Sequence, residues 1–285
     1  MTAPAPLLSL VLPVVNGQDY IESSLRRVTT ALERLERPFE VIVVCDGSTD
    51  RTADRARSFG DERVTVLDYA VNVGKGHAIT HGVAAARGRL VGWLDSDLDI
   101  APETIVEFVG RFLADDEVDA VIGSKRHPQS AVAYPLLRRV YSAGFQLLVR
   151  LLFRFNVRDT QVGAKVFRRE VLDTTAPLLL IKRYAFDVEI LAVAAEFGFD
   201  RVVEAPIQLD YQFTGTGINW QAVWRMLLDT LAIAYRIHFR HWYVRRFAAL
   251  HRQRLDDEAY VRLPPPGAPD AAATAWPPIP ADEQA

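Results

Sequence analysis

An α/β fold, with a mostly parallel sheet covered by helices on both faces, is predicted by three features of this 285-residue sequence. Apolar, β-rich runs alternate with amphipathic helical stretches through the first half. The runs are continuously apolar, as strands buried on both faces must be. Two of them end directly in an aspartate, Asp46 and Asp95, at the strand edge where open α/β sheets place their ligand chemistry.

In chain order, Leu8 to Val15 reads as a strand and about Asp19 to Glu36 as a helix. Glu40 to Cys45 is a second strand, a helix follows Ser48, and Val64 to Leu67 is a third strand. A helix opens near Gly74, and Leu90 to Leu94 is a fourth strand. Pro102 sits in the first turn of the next helix, before the strand Ala120 to Gly123. Longer helices are expected over Tyr134 to Phe155, Ala185 to Phe197 and Asn219 to Trp242, with short strands near Val162 to Phe167 and Arg201 to Leu209. We expect one domain over 1–243, in two halves, 1–124 and 125–243. A helical extension (244–263) and a Pro/Ala-rich disordered tail (264–285) follow.

At 49% hydrophobic and 24% charged, the chain is globular, which excludes collagen-like, disordered and disulfide-scaffold classes. The single cysteine, Cys45, points to a reducing compartment. The first apolar run is short, interrupted by Pro13 and not preceded by basic residues, so no signal peptide is expected. The most apolar stretches are interrupted by Arg150, Arg154, Asp229 and Arg236, short of the roughly 20 consecutive apolar residues that span a bilayer. The net charge of -3 conceals a division: residues 1–124 hold 12 basic and 20 acidic residues, 125–254 hold 20 and 10, and the tail holds 1 and 6. Such asymmetry asks for a phosphate, membrane-surface or nucleic-acid explanation.

The second acidic strand end continues as Asp95-Ser96-Asp97-Leu98-Asp99. In an extended backbone alternate side chains share a face, so these acids can converge on one cation. Oxygen-only ligands favour Mg²⁺ or Mn²⁺ shared with a substrate phosphate over zinc. The alternative is that Asp97 and Asp99 cap the helix at Pro102; the matching Asp46 favours a site. Asp46-Gly47-Ser48 turns from strand to helix, which brings backbone N–H groups near a nucleotide, or serves only as a turn capped by Ser48. Asn72-Val73-Gly74-Lys75-Gly76 opens another helix with a lysine able to meet phosphate, though it matches neither the Walker A nor the dinucleotide-binding glycine pattern.

Taken in order, LVLPVVNGQDYIESSL, CDGSTD, NVGKGHAITHGVAAARG and DSDLDIAPE resemble glycosyltransferase family 2 enzymes of the Rossmann-like GT-A fold. The resemblance runs from about Leu8 to Ile237. GSKRHPQS, PLLRRVYSAGFQLLVRLLF, DTQVGAKVFRREVL and RYAFDVEIL are similar to the polyprenyl-phosphate branch, and the D-T-Q-x-G and F-D-V-E pair is most similar to dolichyl-phosphate glucosyltransferases. This implies transfer of one hexose from a UDP- or GDP-sugar to a polyprenyl phosphate, with inversion. It also implies a protein peripheral on the cytoplasmic face of the membrane.

Carried over residue by residue, the resemblance assigns Asp97 and Asp99 to the metal. The nucleotide sugar falls to Pro13, Val14, Asp46, Gly47, Ser48, Asn72, Gly74, Lys75, Asp95, Ser96 and Gln161. Lys125, Arg138 and Ser142 would bind the acceptor phosphate, with Arg126 and Arg139 as register alternatives, and Asp159 would stand on the sugar side. Asp97, Lys125, Arg138 and Asp159 form the catalytic set. Two departures from the pattern, Val15 and Gly17 after the first proline and CDGS for the commoner DDGS, leave both nucleotides open.

A phosphate monoester with a second pKa near about 6 is largely anionic at neutral pH and attacks without a base. Such a reaction needs leaving-group stabilisation and alignment of two anions, which metal and arginines supply. A saccharide hydroxyl acceptor, as in cell-wall or exopolysaccharide synthesis, would instead require a base, with Asp159 first in line. A nucleotide-sugar binding scaffold is the non-enzymatic alternative, against which the three acids argue. Nucleic acid is not expected: no binding motif is present, and the acidic first half would repel it. Apolar residues beside Arg138, Arg139, Arg150 and Arg154, and Trp224, Tyr235 and Trp242 beside Arg236, Arg240, Arg245 and Arg246, suit an interfacial helix. Buried helices with snorkelling arginines are the alternative.

Overall fold

The computed structural model describes residues 5–130, 136–153, 157–208 and 220–261, with backbone only at 136–143, 220 and 254–261. Seven strands are present among them: β1 (Leu8–Val14), β2 (Phe39–Asp46), β3 (Val64–Tyr69), β4 (Leu90–Leu94), β5 (Ala120–Ser124), β6 (Ala164–Arg168) and β7 (Val202–Pro206). They form one sheet in the order β3-β2-β1-β4-β6-β5-β7. All neighbours are parallel except β6, which runs antiparallel to both β4 and β5. The order reverses between β1 and β4, so the carboxyl ends of β2, β1 and β4 border the switch point where an open sheet leaves a crevice.

The two-sided burial of the central strands explains their continuous apolar runs. Leu10, Leu12, Val41, Val43 and Cys45 enter one apolar cluster, and the intervening Val11, Ile42 and Val44 enter the other. The first cluster is closed by α1 (Ile21–Glu33) and α4 (Glu103–Ala114). Ile21, Leu25, Val28 and Leu32 recur every three or four residues on α1, and Ile105, Phe108, Val109 and Phe112 do so on α4. Each such side chain contributes about 1.5–3 kcal/mol when fully removed from water. The second cluster is closed by α3 (Lys75–Ala85) and α7 (Phe186–Glu196), and the short α2 (Thr52–Ser58) lies beside β3. A third cluster joins α7 to α5 (Leu136–Phe153), α8 (Trp220–His238) and α9 (Trp242–Val261) through Val149, Val188, Val193, Ile233, Ile237 and Tyr243.

Several expected boundaries move. The stretch read as one helix from Asn219 to Trp242 breaks: the amides of Phe239 and Arg240 both return to the Tyr235 carbonyl, His241 takes a left-handed φ of 46°, and Trp242 opens α9. The break turns Tyr243 into the core, where it is 1% exposed. The strand expected from Val162 begins at Ala164, and α6 (Arg169–Thr175) follows it without having been anticipated. Tyr134, Phe155, Asn219 and the tail 264–285 lie outside the described residues. No described helix is long and apolar enough to cross a membrane.

Candidate active site

The carboxyl end of β2 builds the first wall. Asp46 is 4% exposed, and its carboxylate accepts hydrogen bonds from the amides of Val73 (2.8 Å) and Gly74 (2.9 Å). Asn72 returns the favour, its Nδ2 donating to the Asp46 carbonyl at 3.2 Å. Ser48 is not a helix cap: α2 is entered through Arg51 without a side-chain cap, and the Ser48 hydroxyl accepts from the Asn16 amide at 3.1 Å. Thus Asp46, Gly47, Ser48, Asn72 and Gly74 form one stitched loop pair beside the switch point. Pro13 and Val14 are buried at the carboxyl end of β1, with Val14 in the first apolar cluster.

The carboxyl end of β4 builds the second wall, and here the expectation of an extended acidic segment is corrected. Asp95 to Leu98 is a turn, closed by the Leu98 amide on the Asp95 carbonyl (3.1 Å), with Leu98 at a φ of +55°. Leu98 is 3% exposed, and burying it offsets the unfavourable backbone. Ser96 is buried, and its carbonyl accepts from the Ser24 hydroxyl of α1 at 2.7 Å. The acids therefore leave a turn, not an extended segment, and remain close enough to act on one another's charge. Helix capping is also excluded as their role, because α4 is entered through Pro102 with no side-chain cap.

Asp95 pairs with Lys75, at the start of α3. Against the penalty of burial, Asp95, Asp187 and Asp97 hold the Lys75 ammonium above the ordinary lysine range. Partial desolvation in the cleft and the Asp95 charge push the Asp97 carboxyl up. Asp99 is raised by desolvation and by Asp97 and Asp95, with Lys125 opposing. For both acids desolvation and the neighbouring carboxylates outweigh the opposing charge, of Lys75 at Asp97 and of Lys125 at Asp99. Among the described residues no three His, Cys, Asp or Glu side chains gather as a closed metal cage.

Asp159 and Gln161 lie on the loop entering β6. Asp159 is 7% exposed and accepts from the amides of Lys125 (3.1 Å) and Gln161 (3.2 Å), tying that loop to the end of β5. The Nε2 of Gln161 is buried without a hydrogen-bond partner among the described residues. Arg126 follows Lys125 in the same partly exposed segment. Arg138, Arg139 and Ser142 fall on α5, whose backbone is described there, but their side chains lie outside the described residues.

Three features of the site escaped sequence reasoning. Lys165 of β6 is fully buried, its Nζ donating to Asp187 Oδ1 and to the Val162 carbonyl, both at 2.5 Å. Gly163 lies directly under Asp95: a Cβ there would fall on the Asp95 carboxylate, so only glycine lets that acid sit where it meets Lys75. Glu189 is buried beneath the segment that packs on α3. The F-D-V-E and DTQVGAKVFRREVL runs held these residues, but their burial depends on contacts between distant elements.

The model of the family described as glycosyl transferase family 2 matches residues 9–175. A human dolichyl-phosphate beta-glucosyltransferase is 32% identical over 211 residues, 68% of this chain and 65% of its own length. Its Drosophila melanogaster counterpart is 34% identical over 207 residues, 67% and 64% of the two lengths. Glycosyltransferase AglD of Haloferax volcanii is 33% identical over 210 residues, 72% of this chain but 33% of its own length. The chain therefore spans just under two thirds of the human relative and about one third of AglD. The fold is shared with glucosyl-3-phosphoglycerate synthase from Mycobacterium tuberculosis, solved with Mn²⁺, uridine-diphosphate and phosphoglyceric acid. That structure has a TM-score of 0.61 at 22% identity and covers 81% of this chain and 78% of its own. With a family model covering more than half of its length and the switch-point crevice in place, the chain belongs to glycosyl transferase family 2.

Proposed function

We propose that this protein moves a hexose from a UDP- or GDP-sugar to a polyprenyl phosphate at a membrane surface, with inversion and with help from Mg²⁺ or Mn²⁺. The observation that carries the proposal is the pair Asp97 and Asp99. Both are raised beside the switch point by desolvation and by neighbouring carboxylates, Asp95 acting on Asp97 and both Asp97 and Asp95 on Asp99, so an arriving cation relieves them. The donor set fits a hard divalent ion: two carboxylates from the protein leave room for diphosphate oxygens, which such ions accept readily. When bound there, the cation would neutralise charge building on the departing diphosphate.

The remaining steps fall to the chain's own residues. The stitched loops around Asp46 present the backbone of 72–74 to the nucleotide. Lys75, kept charged by Asp95, faces the same crevice. Lys125 and Arg126, with Arg138, Arg139 and Ser142 of α5, would hold the acceptor phosphate, and alignment of two mutually repelling anions is the larger part of what they contribute. Asp159 is engaged by two backbone amides, which supports a structural role on the sugar side and suits an acceptor that brings its own negative charge. The relatives named as dolichyl-phosphate glucosyltransferases support glucose and a dolichol-type acceptor as the first choices. The decisive assay offers UDP- and GDP-glucose and -mannose with polyprenyl phosphate and Mg²⁺ or Mn²⁺. A lipid-linked hexose is expected; label found only on a free sugar hydroxyl would refute the proposal.

The membrane surface would be met by α8. Trp224, Leu228, Leu231 and Tyr235, continuing to Phe239 past its end, are exposed at spacings of three or four residues, and Leu147 and Leu151 of the adjoining α5 are exposed too. Residues 220–252 carry six arginines against one aspartate. Apolar and aromatic side chains flanked by arginines suit the headgroup layer of an anionic leaflet, and the single, buried Cys45 suits its cytoplasmic side. L228E is expected to lower partition onto phosphatidylglycerol-containing vesicles at least tenfold in co-sedimentation. Transfer to a short, water-soluble prenyl phosphate should stay within about twofold. Equal vesicle binding by the variant would remove α8 from the membrane face.

A further inference from the structure

Glu189 is fully buried in α7, where a carboxylate is costly unless each oxygen finds a donor. Its Oε2 accepts from the amides of Leu180 (3.0 Å) and Ile181 (2.8 Å), and its Oε1 accepts from the Tyr243 hydroxyl (2.7 Å). Burial pushes the Glu189 carboxyl up, while Tyr243, the two amides and the nearby Arg236 favour its anionic form. The carboxylate therefore fixes a segment outside regular structure, residues 179–182, and is itself held by the first turn of α9.

That segment ends on the site. The Lys182 carbonyl accepts from the amides of Gly76 (2.9 Å) and His77 (3.3 Å), two of the first-turn donors that a helix leaves unpaired. Gly74, just before α3, has a φ of 129°, and a Cβ there would come within 2.5 Å of the same carbonyl. The opening of α3, with Lys75 in it, is thus clamped from two sides: Asp46 grips the amides of 73 and 74, and Lys182 grips those of 76 and 77.

We propose that Glu189 is a positioning residue for the nucleotide-sugar site, acting through residues 180–182 to set the first turn of α3 and Lys75, and that Tyr243 ties this setting to the C-terminal helices. The proposal rests on the assignment of the 72–76 loop to the nucleotide sugar. Glutamine at 189 can reproduce the pattern, its carbonyl oxygen accepting both amides and its NH₂ donating to the Tyr243 oxygen. Alanine leaves both amides unpartnered.

The test compares E189A, E189Q and Y243F with the unaltered protein by hydrogen exchange over residues 74–78, binding of UDP and GDP with Mg²⁺, and the KM of each substrate. E189A is expected to speed exchange of the Gly76 and His77 amides at least tenfold and to raise the nucleotide-sugar KM at least tenfold. Its polyprenyl phosphate KM should stay within twofold. E189Q should stay within threefold on every measure. Y243F, which keeps the carboxylate, should move the same quantities in the same direction by two- to fivefold, and serves alone if E189A does not fold. Unchanged exchange at 76 and 77 in Y243F and in any folded E189A would overturn the strut, as would a fall in kcat with both KM values and the exchange unmoved. Faster exchange in a protein that binds neither nucleotide before substitution would overturn the assignment of the loop and with it the positioning role, while leaving the strut standing.

Discussion

Asp97→Ala is expected to lower hexose transfer at least a thousandfold while leaving the protein folded. Loss of one of two carboxylates from a cation site that stabilises a departing diphosphate removes on the order of 4 kcal/mol from the transition state, the equivalent of that factor. A structural role predicts the opposite balance, so the isosteric Asp97→Asn decides. Desolvation and the charge of Asp95 raise the Asp97 carboxyl in the folded chain above its unfolded value. The folded state therefore holds the proton more tightly, and stability falls as pH rises from the unfolded toward the folded pKa. Above that window the ionised Asp97 destabilises the fold, and a neutral asparagine removes the penalty. Asp97→Asn should raise Tm at pH 7 and give no gain near pH 3, where the acid is already protonated. Added Mg²⁺ with UDP or GDP should stabilise the unaltered protein more than the variant. Retained transfer, or a lower Tm at pH 7, would sink the cation assignment.

That single residue also shows how far the sequence could be read. The place of Asp95 to Asp99 was legible, because a continuous apolar strand ending in acids has one edge on which to end in an open α/β sheet. Its conformation was not. The turn depends on a left-handed Leu98, a backbone state usually signalled by glycine or asparagine, and here supported by burial of the leucine side chain. The break between α8 and α9 was hidden for a similar reason: no glycine or proline lies between Ile237 and Tyr243, and what settles the turn is Tyr243 reaching Glu189 from fifty-four positions away. The antiparallel β6, wedged between two strands of opposite direction, follows from the long excursion through α5 that no local period records. Asp46 was placed on the correct edge, yet its two amide partners come from a loop after β3. Local period and punctuation give the elements; partners given by topology decide what each acid does.

Lys165 is the sharpest case, and replacing it should cost more stability than any other single change at the site. The sequence marks only a short strand near Val162 to Phe167, with nothing to single out Lys165. In the fold β6 is central, and Lys165 is fully enclosed, its ammonium 5.9 Å from the Trp93 ring. Lys165→Met keeps the volume and removes the charge, which leaves Asp187, 9% exposed, without the donor at 2.5 Å. Breaking a buried pair from one side costs about 3–5 kcal/mol, partly relieved here because Lys75 also favours the Asp187 charge. Denaturant unfolding should show a loss of that order for Lys165→Met, and most of it should return in Lys165→Met/Asp187→Leu, where neither charge remains. Activity should not return with it. The same ammonium holds the Val162 carbonyl, one residue before the Gly163 that supports Asp95, so the double variant regains the fold without regaining the geometry beneath Lys75 and Asp95. Recovery of full transfer along with stability would mean that the pair only fills the core. A loss below 1 kcal/mol in the single variant would mean that its charge is not buried in solution.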